Sequence, residues 1–304
     1  MFTYVTSIII PTRNRPEYLI KLVKFLRNKL IFNQIIVVDS SDTVYRKKIN
    51  NICSMYKVEL YRTYPSSAHQ RNLGIKKVKK NSKYILFIDD DVTFYKNSFI
   101  EMNKSIKKYF YSTNICGFAF NLIVSNQNFF NKFKKLKIFR YLNLYSNIPG
   151  KVLINGWHMK IESLKEDFFV EWLFTGATIY KKDSIINKRF DVSFGSYSYL
   201  EDLDFSYSLF KKNKKLLLVS KAKFFTFNTI NRNNFNFGII EIVNRYKFVK
   251  KNQLNTNLFY LTAFFRASLS FLGIIKFDFK LLSRAFGNIF AISKIIFLKK
   301  YENK

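Results

Sequence analysis

The sequence predicts an α/β fold in which helices flank a mainly parallel sheet, followed by a helical carboxyl-terminal extension. In the first 120 residues, short apolar runs typical of buried strands alternate with amphipathic helical segments, and the connections are short. Such alternation is typical of right-handed βαβ units. Polar clusters at 12–15, 39–42 and 89–91 each follow a predicted strand. Ligands bind beyond the carboxyl ends of strands in parallel sheets, so these clusters indicate a binding site.

The predicted elements begin with a strand over 4–10, after which Pro16 opens a helix whose apolar residues share one stripe. The next elements are a strand at 34–38, a helix from Thr43, a strand at 57–61, a helix over 68–80 and a strand at 84–88. The segment 129–145 is predicted as a basic, aromatic-rich helix or excursion. Beyond it we expect a strand pattern over 168–180, a helix at 199–212, short strands at 216–219 and 223–227, and helices after 236.

Composition excludes several classes of protein. The chain has 304 residues, of which 48% are hydrophobic and 18% aromatic, and this indicates a packed globular protein rather than a disordered one. It contains only 2 His and 2 Cys, which excludes Cys/His zinc modules, HExxH sites and a disulfide framework, and fits a reducing cytosol. No two of its glycines lie closer than Gly150 and Gly156, so GxGxxG, GxxxxGK and GxSxG motifs are absent.

The charge is strongly positive: 52 Lys and Arg against 20 Asp and Glu give a net charge of +32. Such a charge indicates a polyanionic partner, namely nucleic acid, an anionic membrane surface or a phosphorylated substrate. An A/T-rich genome would also enrich Lys, but it does not account for the shortage of acidic residues. The basic residues are spread along the chain instead of forming one module, so we expect no nucleic-acid partner.

The carboxyl-terminal region contains two apolar stretches, 258–275 and 285–298, that are flanked by Lys and Arg. Neither is a long uncharged run of about 20 residues, and Arg266 interrupts the first. The pattern favours helices that lie in a membrane interface and are attracted to anionic lipid. The alternatives are packing on the preceding α/β domain or a dimer surface. The amino-terminal segment lacks the basic start and the cleavage site of a signal peptide.

Three consecutive carboxylates, Asp89, Asp90 and Asp91, follow the apolar run 84–88. They would repel one another unless a cation lies among them. Alternate residues of an extended segment point the same way, so we expect Asp89 and Asp91 to face one point. Two carboxylates together with a diphosphate suit Mg²⁺ or Mn²⁺. The alternative is a solvated acidic turn.

A second acidic group, Glu201, Asp202 and Asp204, lies at the start of a predicted helix, where the helix dipole also favours acids. A general base requires a carboxylate beside an acceptor hydroxyl, and Asp202 is the candidate, with Glu201 binding or orienting the acceptor. Arg71 lies near the start of another predicted helix, where phosphates bind, and could pair with a diphosphate.

Taken together, these residues resemble the ordered motifs of family 2 glycosyltransferases. The similarity covers roughly residues 3–230 and rests on IIIPTRN at 8–14, IIVVDSSD at 35–42, QRNLGI at 70–75, FIDDD at 87–91 and EDLD at 201–204. Each motif is unspecific alone, whereas five in order at plausible spacings are specific. The resemblance implies a GT-A fold, with a Rossmann-like sheet, and transfer of a sugar from a nucleotide diphosphate sugar with inversion.

The resemblance also implies roles for individual residues. The implied donor site consists of Pro11, Thr12, Arg13, Asp39, Arg71, Asp89 and Asp90, with Asp39 reading the base. Asp91 is the implied principal metal ligand and Asp89 the second, within a DxD motif. Asp202 matches the usual catalytic base, and Gly176 and Glu201 border the implied acceptor site.

Two departures from the family pattern are visible. Many relatives carry a His after the strand that follows the ED helix, as an extra metal or diphosphate ligand, whereas Thr226 takes that place here. Metal affinity is therefore expected to be weaker, or Lys and Arg to neutralise the diphosphate. The QxxRW motif of processive synthases is also absent, which favours a single transfer over polymerisation.

The function expected from the sequence is an inverting glycosyltransferase that uses Mg²⁺ or Mn²⁺, with residues 1–120 forming the nucleotide-sugar half and 121–230 the acceptor half of one catalytic domain. Residues 231–304 would form the helical extension. We expect a nucleotide diphosphate sugar donor, with UDP favoured, and a saccharide or lipid-linked acceptor. The expected location is the cytoplasmic face of the cell membrane, as a peripheral protein that builds surface polysaccharide or glycolipid.

Three alternatives stay open at this point. A sugar nucleotidyltransferase shares the parallel sheet and acidic metal site but normally has a glycine-rich loop near the amino terminus. A non-enzymatic, basic nucleic-acid-binding protein would explain the charge but neither acidic cluster. A catalytically inactive relative of the glycosyltransferases would keep the motifs without the activity.

Overall fold

The computed structural model of the protein describes residues 2–124, 140, 144–227, 232–271 and 279–302. Most of the predicted excursion over 129–145 therefore lies outside the described residues. The chain divides into two compact units. The first unit comprises Met1–Gln127 and Lys160–Asn228, and the second comprises Asn128–Met159 and Thr229–Lys304. Residues 128–159 thus group with the carboxyl-terminal helices.

The described part of the first unit contains nine strands in one sheet. The strands are β1 (Thr6–Thr12), β2 (Gln34–Asp39), β3 (Glu59–Arg62), β4 (Tyr84–Ile88), β5 (Val92–Phe94), β6 (Ile115–Leu122), β7 (Phe168–Val170), β8 (Ala177–Lys181) and β9 (Lys215–Thr226). The helices are α1 (Pro16–Lys29), α2 (Thr43–Met55), α3 (Ser67–Lys76), α4 (Ser98–Lys108), α5 (Lys182–Ile185) and α6 (Glu201–Phe210).

The sheet has the strand order β3-β2-β1-β4-β8-β6-β9-β5, and β7 also pairs with β9. Its first four strands are parallel, as the βαβ alternation predicts. In the other half, β8 runs antiparallel to β4 and β6, while β6 and β9 are parallel. The sheet is therefore mixed. A strand's hydrophobic pattern reports its burial and not its direction, so the sequence could not reveal these antiparallel pairs.

Two strand predictions differ from the structure. The segment 168–180 forms two strands, β7 and β8, separated by a loop that contains Gly176. Conversely, the two short strands expected around 216–227 are one strand, β9. In β9, Lys221 and Lys223 point to solvent while Ala222 and Phe224 are buried, so the alternation that defines a half-buried strand continues through this segment.

The central strands are completely buried because helices cover both faces of the sheet. β1, β2 and β4 have buried residues at every position, and α1 packs Leu19, Leu22, Val23 and Leu26 against them. The register pairs Thr12, at the end of β1, with Asp39, at the end of β2. Two of the polar clusters predicted from the sequence are therefore adjacent at one edge of the sheet.

The second unit is helical over most of its described length. Its long helices are α7 (Phe235–Lys251), α8 (Thr256–Phe271) and α9 (Phe279–Glu302). They enclose a core in which the guanidinium groups of Arg245 and Arg266 lie 4.7 and 5.4 Å from the centre of the Trp157 ring. Within the described residues, every helix is too short or too polar to cross a membrane.

Close packing of α7 against α9 depends on glycine. A Cβ atom at Gly287 would collide with the backbone of Phe235. We therefore expect Gly287→Ala to lower the free energy of unfolding by about 1–3 kcal/mol, as overpacking does. Without the collision, the same change would stabilise a helix by up to about 1 kcal/mol, so the sign of the change is diagnostic. Urea unfolding measures it, with the exposed Ser293→Ala on α9 as the control; stabilisation by Gly287→Ala would contradict the packing.

Candidate active site

Polar groups from three parallel strands meet at the carboxyl edge of the sheet. Thr12 ends β1, Asp39 ends β2, and the acidic triplet Asp89–Asp91 follows β4. Gln70 of α3 links the ends of β1 and β2, because its Nε2 donates hydrogen bonds to the carbonyl oxygens of Thr12 and Val38 at 2.8 and 2.7 Å. The strand ends and the start of α3 thus form one rigid platform.

The acidic triplet forms a turn and is not extended. Asp90 is buried, and its carboxylate accepts a hydrogen bond from Thr12 Oγ1 at 2.7 Å. Arg15 Nη1 lies 3.3 Å from Asp90 Oδ1 and 3.1 Å from Asp91 Oδ2. Asp89 instead contacts Arg71, with 2.9 Å between Oδ1 and Nη2. The extended geometry on which we based the expectation that Asp89 and Asp91 face one point is therefore absent, and each of the two carboxylates contacts a different arginine.

Asp90 is the member of the triplet that packs inward. Burial raises its pKa to about 7, although the hydrogen bond from Thr12 and the charge of Arg15 both oppose the rise. Its two carboxylate oxygens already bind Thr12 and Arg15. Asp90 therefore joins β1 to the end of β4, and Asp89 and Asp91 are the members of the triplet that reach the surface more.

Arg71 is buried and connects the two acidic clusters. One of its nitrogens binds Asp89 and another binds Glu201. Its guanidinium also lies 5.6 Å from the centre of the Phe190 ring. Burial raises the pKa of Glu201 to about 7, and the charge of Arg71 opposes that rise. The pair holds the start of α6 against α3.

Helix α6 begins after a strained residue, and the carboxylates in its first turn differ in their exposure to solvent. Leu200, just before the helix, has a φ of 75°, which non-glycine residues adopt rarely. Glu201 and Asp204 are buried, whereas Asp202 is half-buried and accepts a hydrogen bond from the backbone N–H of Leu203 at 2.8 Å. The carboxylate of Glu201, which the sequence analysis assigned to binding or orienting the acceptor, is buried against Arg71. Asp202 is the more accessible carboxylate of this turn.

A cavity of about 680 Å³ lies beside the β2 end. It is lined by Asp39, Ser40, Ser41, Asp42, Thr43, Arg46, Arg62, Thr63, Tyr64 and Pro65. Asp39 is fully buried, and its Oδ1 accepts a hydrogen bond from the backbone N–H of Ser41 at 2.8 Å. Arg62 Nε lies 3.3 Å from Asp39 Oδ2. A carboxylate beside a guanidinium offers an acceptor and a donor to the edge of a planar heterocycle.

The remaining predicted residues lie around this edge. Pro11 is buried in β1. Arg13 Nη2 lies 3.6 Å from Oδ1 of Asp42, a residue that lines the cavity. The carbonyl oxygen of Gly176 accepts a hydrogen bond from the Asp89 backbone N–H at 2.9 Å. Gly176 is therefore beside the acidic triplet, although the two are far apart in the sequence.

Two arginines of the site, Arg15 and Arg62, were not among the predicted site residues. Arg15 lies in the polar cluster 12–15, and its position directly after a predicted strand could have identified it as a site residue. Arg62 ends β3, which pairs with β2 next to Asp39. Nothing in the local sequence around Arg62 indicates that pairing, because it depends on which strands are neighbours in the sheet.

The acidic triplet offers some, but not all, of the ligands that a divalent cation needs. Within the described ranges, no three His, Cys, Asp or Glu side chains group closely enough to hold an ion by themselves. Asp89 and Asp91 supply hard oxygen donors of the kind that Mg²⁺ and Mn²⁺ prefer, and such ions usually complete their shell with phosphate and water. Thr226, which stands where the resemblance implies a His in many relatives, pairs with Val92, the residue directly after the triplet.

One protein family and a set of solved structures are similar to this chain. The sequence model of Glycosyl transferase family 2 matches residues 7–165. No curated protein is significantly similar in sequence. The crystal structure of S. aureus TarS 1-349 has a TM-score of 0.50 and 14% identity, covering 92% of this chain and 71% of that chain. The same fragment in complex with UDP has a TM-score of 0.49 and 14% identity, covering 78% and 64%.

The structural similarity bears on the fold alone, because the identity is low. It confirms the predicted GT-A type of fold, with a Rossmann-like sheet flanked by helices and with helices at the carboxyl end. The chain spans less than two thirds of the UDP-bound TarS chain.

Proposed function

The chain belongs to glycosyltransferase family 2, and from this premise we propose that it transfers one sugar from a nucleotide diphosphate sugar to a hydroxyl acceptor with inversion. The observation that carries the proposal is the bridge formed by Arg71. This buried residue binds Asp89 on the donor side and Glu201, the neighbour of Asp202, on the other. A donor site and a candidate base are thereby tied to one rigid group.

The cavity beside Asp39 is the proposed binding site of the donor base. The Asp39 carboxylate can only accept hydrogen bonds, so it favours a base that presents a ring N–H group. Uracil, thymine and guanine present such a group, whereas cytosine does not. Arg62 can donate to an adjacent carbonyl oxygen of the base. We therefore propose UDP as the preferred nucleotide, with dTDP and GDP as the alternatives.

The donor diphosphate is proposed to lie over the acidic triplet. Asp89 and Asp91 would hold Mg²⁺ or Mn²⁺, which would offset the charge that develops on the leaving diphosphate. Arg15 and Arg71 contact these carboxylates and would exchange part of that pairing for phosphate oxygens. Their cationic groups would supply charge that relatives obtain from the His that Thr226 replaces.

Asp202 is the proposed general base. Its carboxylate would take the proton from the acceptor hydroxyl as that oxygen bonds to the anomeric carbon and the bond to the diphosphate breaks. One base and an in-line attack on the opposite face give inversion. Gly176, next to Asp89, is proposed to border the acceptor. We propose a saccharide or lipid-linked acceptor and a place at the cytoplasmic face of the cell membrane, in surface polysaccharide or glycolipid synthesis.

Calorimetric titration tests the donor site. UDP, dTDP, GDP and CMP are titrated into the wild type and into Asp91→Ala, each with MnCl₂ and with EDTA. We expect UDP to bind with Mn²⁺, and its affinity to fall at least about tenfold with EDTA or in Asp91→Ala, because charge-assisted contacts are lost. Glu166→Gln, which removes an exposed carboxylate of the same unit, serves as the control. Failure of all four nucleotides to bind under any condition would contradict the proposal.

A further inference from the structure

Helix α9 presents a stripe of exposed phenylalanines. Phe279, Phe286, Phe290 and Phe297 are 71%, 52%, 53% and 65% exposed. Their separations of seven, four and seven residues place them within about 40° of one another around the helix axis. The opposite face is buried in the core of the second unit. The outer face is thus apolar even though the helix already has a packed inner face.

Helix α8 extends this apolar surface. Leu261 and Phe264 lie on one side of α8 and are both exposed. Phe271, at the end of α8, has its ring centre 5.4 Å from that of Phe286 on α9. Soluble proteins rarely expose contiguous aromatic and aliphatic surface of this kind, and such surface marks an interaction site.

The charge of the second unit indicates what covers this surface. The unit has 108 residues, with 19 Lys and Arg against 3 Asp and Glu, a net charge of +16 that is half of the protein's +32. Glu241 is the one carboxylate among the side chains that the structure describes in this unit, and it is buried against Arg284. Lys280 and Lys294 are exposed and lie to one side of the phenylalanine stripe.

We propose that α9, together with the end of α8, lies in the interface of an anionic lipid bilayer. The phenylalanines would enter the boundary between headgroups and acyl chains, and Lys280 and Lys294 would contact lipid phosphates. A second copy of the chain is a poorer occupant, because it would bring two units of charge +16 together. A nucleic acid would satisfy the lysines but would leave the phenylalanines exposed. This inference goes beyond sugar transfer and does not depend on it.

Vesicle flotation tests the proposal. We expect the wild-type protein to bind vesicles of phosphatidylcholine with about 30% phosphatidylglycerol at least about tenfold more tightly than pure phosphatidylcholine vesicles. The reason is that an anionic lipid surface attracts the positively charged lysines. The double variant Phe279→Ser/Phe297→Ser should bind at least about tenfold more weakly, since two apolar anchors are lost. Phe110→Ser/Tyr111→Ser, two exposed aromatics of the first unit, is the matched control and should bind like the wild type.

A second variant reports the depth of α9 in the bilayer. Phe279→Trp places an indole on the stripe, and we expect its emission to shift to the blue on anionic vesicles and to be quenched by lipids brominated near the headgroup. Equal vesicle binding by the wild type and Phe279→Ser/Phe297→Ser would overturn the proposal. So would a homodimer that this double variant dissociates, without vesicle binding. Titration of UDP into the same variants separates this outcome from a failure of the donor site.

Discussion

Replacement of Asp202 by Asn is expected to reduce sugar transfer by about a thousandfold while UDP affinity stays within about twofold. A positioned base contributes on the order of 10²–10⁴ in rate, and an amide of the same shape cannot accept the acceptor's proton. Asp202 suits this role because it is the carboxylate at the start of α6 that is not buried. Release of nucleoside diphosphate from a labelled donor, in the presence of a membrane lipid extract, measures the rate.

One control variant and one further readout accompany this measurement. Glu166→Gln removes an exposed carboxylate outside the site and should transfer at the wild-type rate. The pH–rate profile of the wild type should show an acid limb that Asp202→Asn lacks, because that limb reports protonation of the base. A rate for Asp202→Asn within about threefold of the wild type would assign the base to another group.

Replacement of Arg71 by Met is expected to lower the free energy of unfolding by about 3–5 kcal/mol at pH 8. The variant leaves Glu201 charged and buried without its cation, and breaking a buried ion pair on one side costs this much. The double variant Arg71→Met/Glu201→Leu should recover most of the loss, since neither charge then remains. Lys104→Met, which removes an exposed ion pair with Glu101, should change the unfolding free energy by less than about 1 kcal/mol.

The pH dependence of stability supplies an independent check on this pair. Burial raises the pKa of Glu201 to about 7, above its ordinary value of 4.5, so the folded state binds this proton more tightly than the unfolded state. The resulting stabilisation is present in full below about pH 4.5 and is lost as the pH rises through 7. Urea unfolding between pH 5 and pH 8 should therefore show a smaller decrease in Glu201→Gln than in the wild type.

The same linkage makes the cost of Arg71→Met depend on pH. At pH 5 Glu201 can keep its proton and needs no cation, so the variant should be less destabilised there than at pH 8. Burial also raises the pKa of Asp90 to about 7. Asp90 therefore contributes equally to the pH dependence of the unfolding free energy in the wild type and in each variant, and its contribution cancels when they are compared. A cost that is the same at both pH values would contradict a buried, protonatable Glu201.

The parallel half of the sheet and its polar edge were predictable from local sequence. Runs such as 35–38 and 85–88 are apolar at every position, and this pattern indicates strands covered on both faces. Pro16 opens α1 at the predicted residue. The clusters after these strands then had to meet at one edge, because parallel strands end together. That inference placed Thr12, Asp39 and the acidic triplet near one another without knowledge of any contact.

The pairing of charges within the site was not predictable in this way. The expectation for Asp89 and Asp91 assumed an extended segment, but the chain turns at Asp90, whose buried carboxylate accepts a hydrogen bond from Thr12. Glu201 is buried against Arg71, a residue 130 positions away, and the local sequence gives no sign of that partner. Arg62 reaches Asp39 only because β3 pairs with β2.

The sequence by itself determined the fold class, the helices and strands up to residue 88, the acidic clusters and the excess of positive charge. These follow from residue order alone, since periodicity and composition depend on neighbours along the chain. Only the tertiary structure decided which arginine neutralises which carboxylate, which acid of the α6 turn stays accessible, and which face of α9 remains exposed. Each of these depends on burial and on contacts between residues distant in sequence, because the free energy of a charge or an apolar side chain is set by its surroundings in the folded protein.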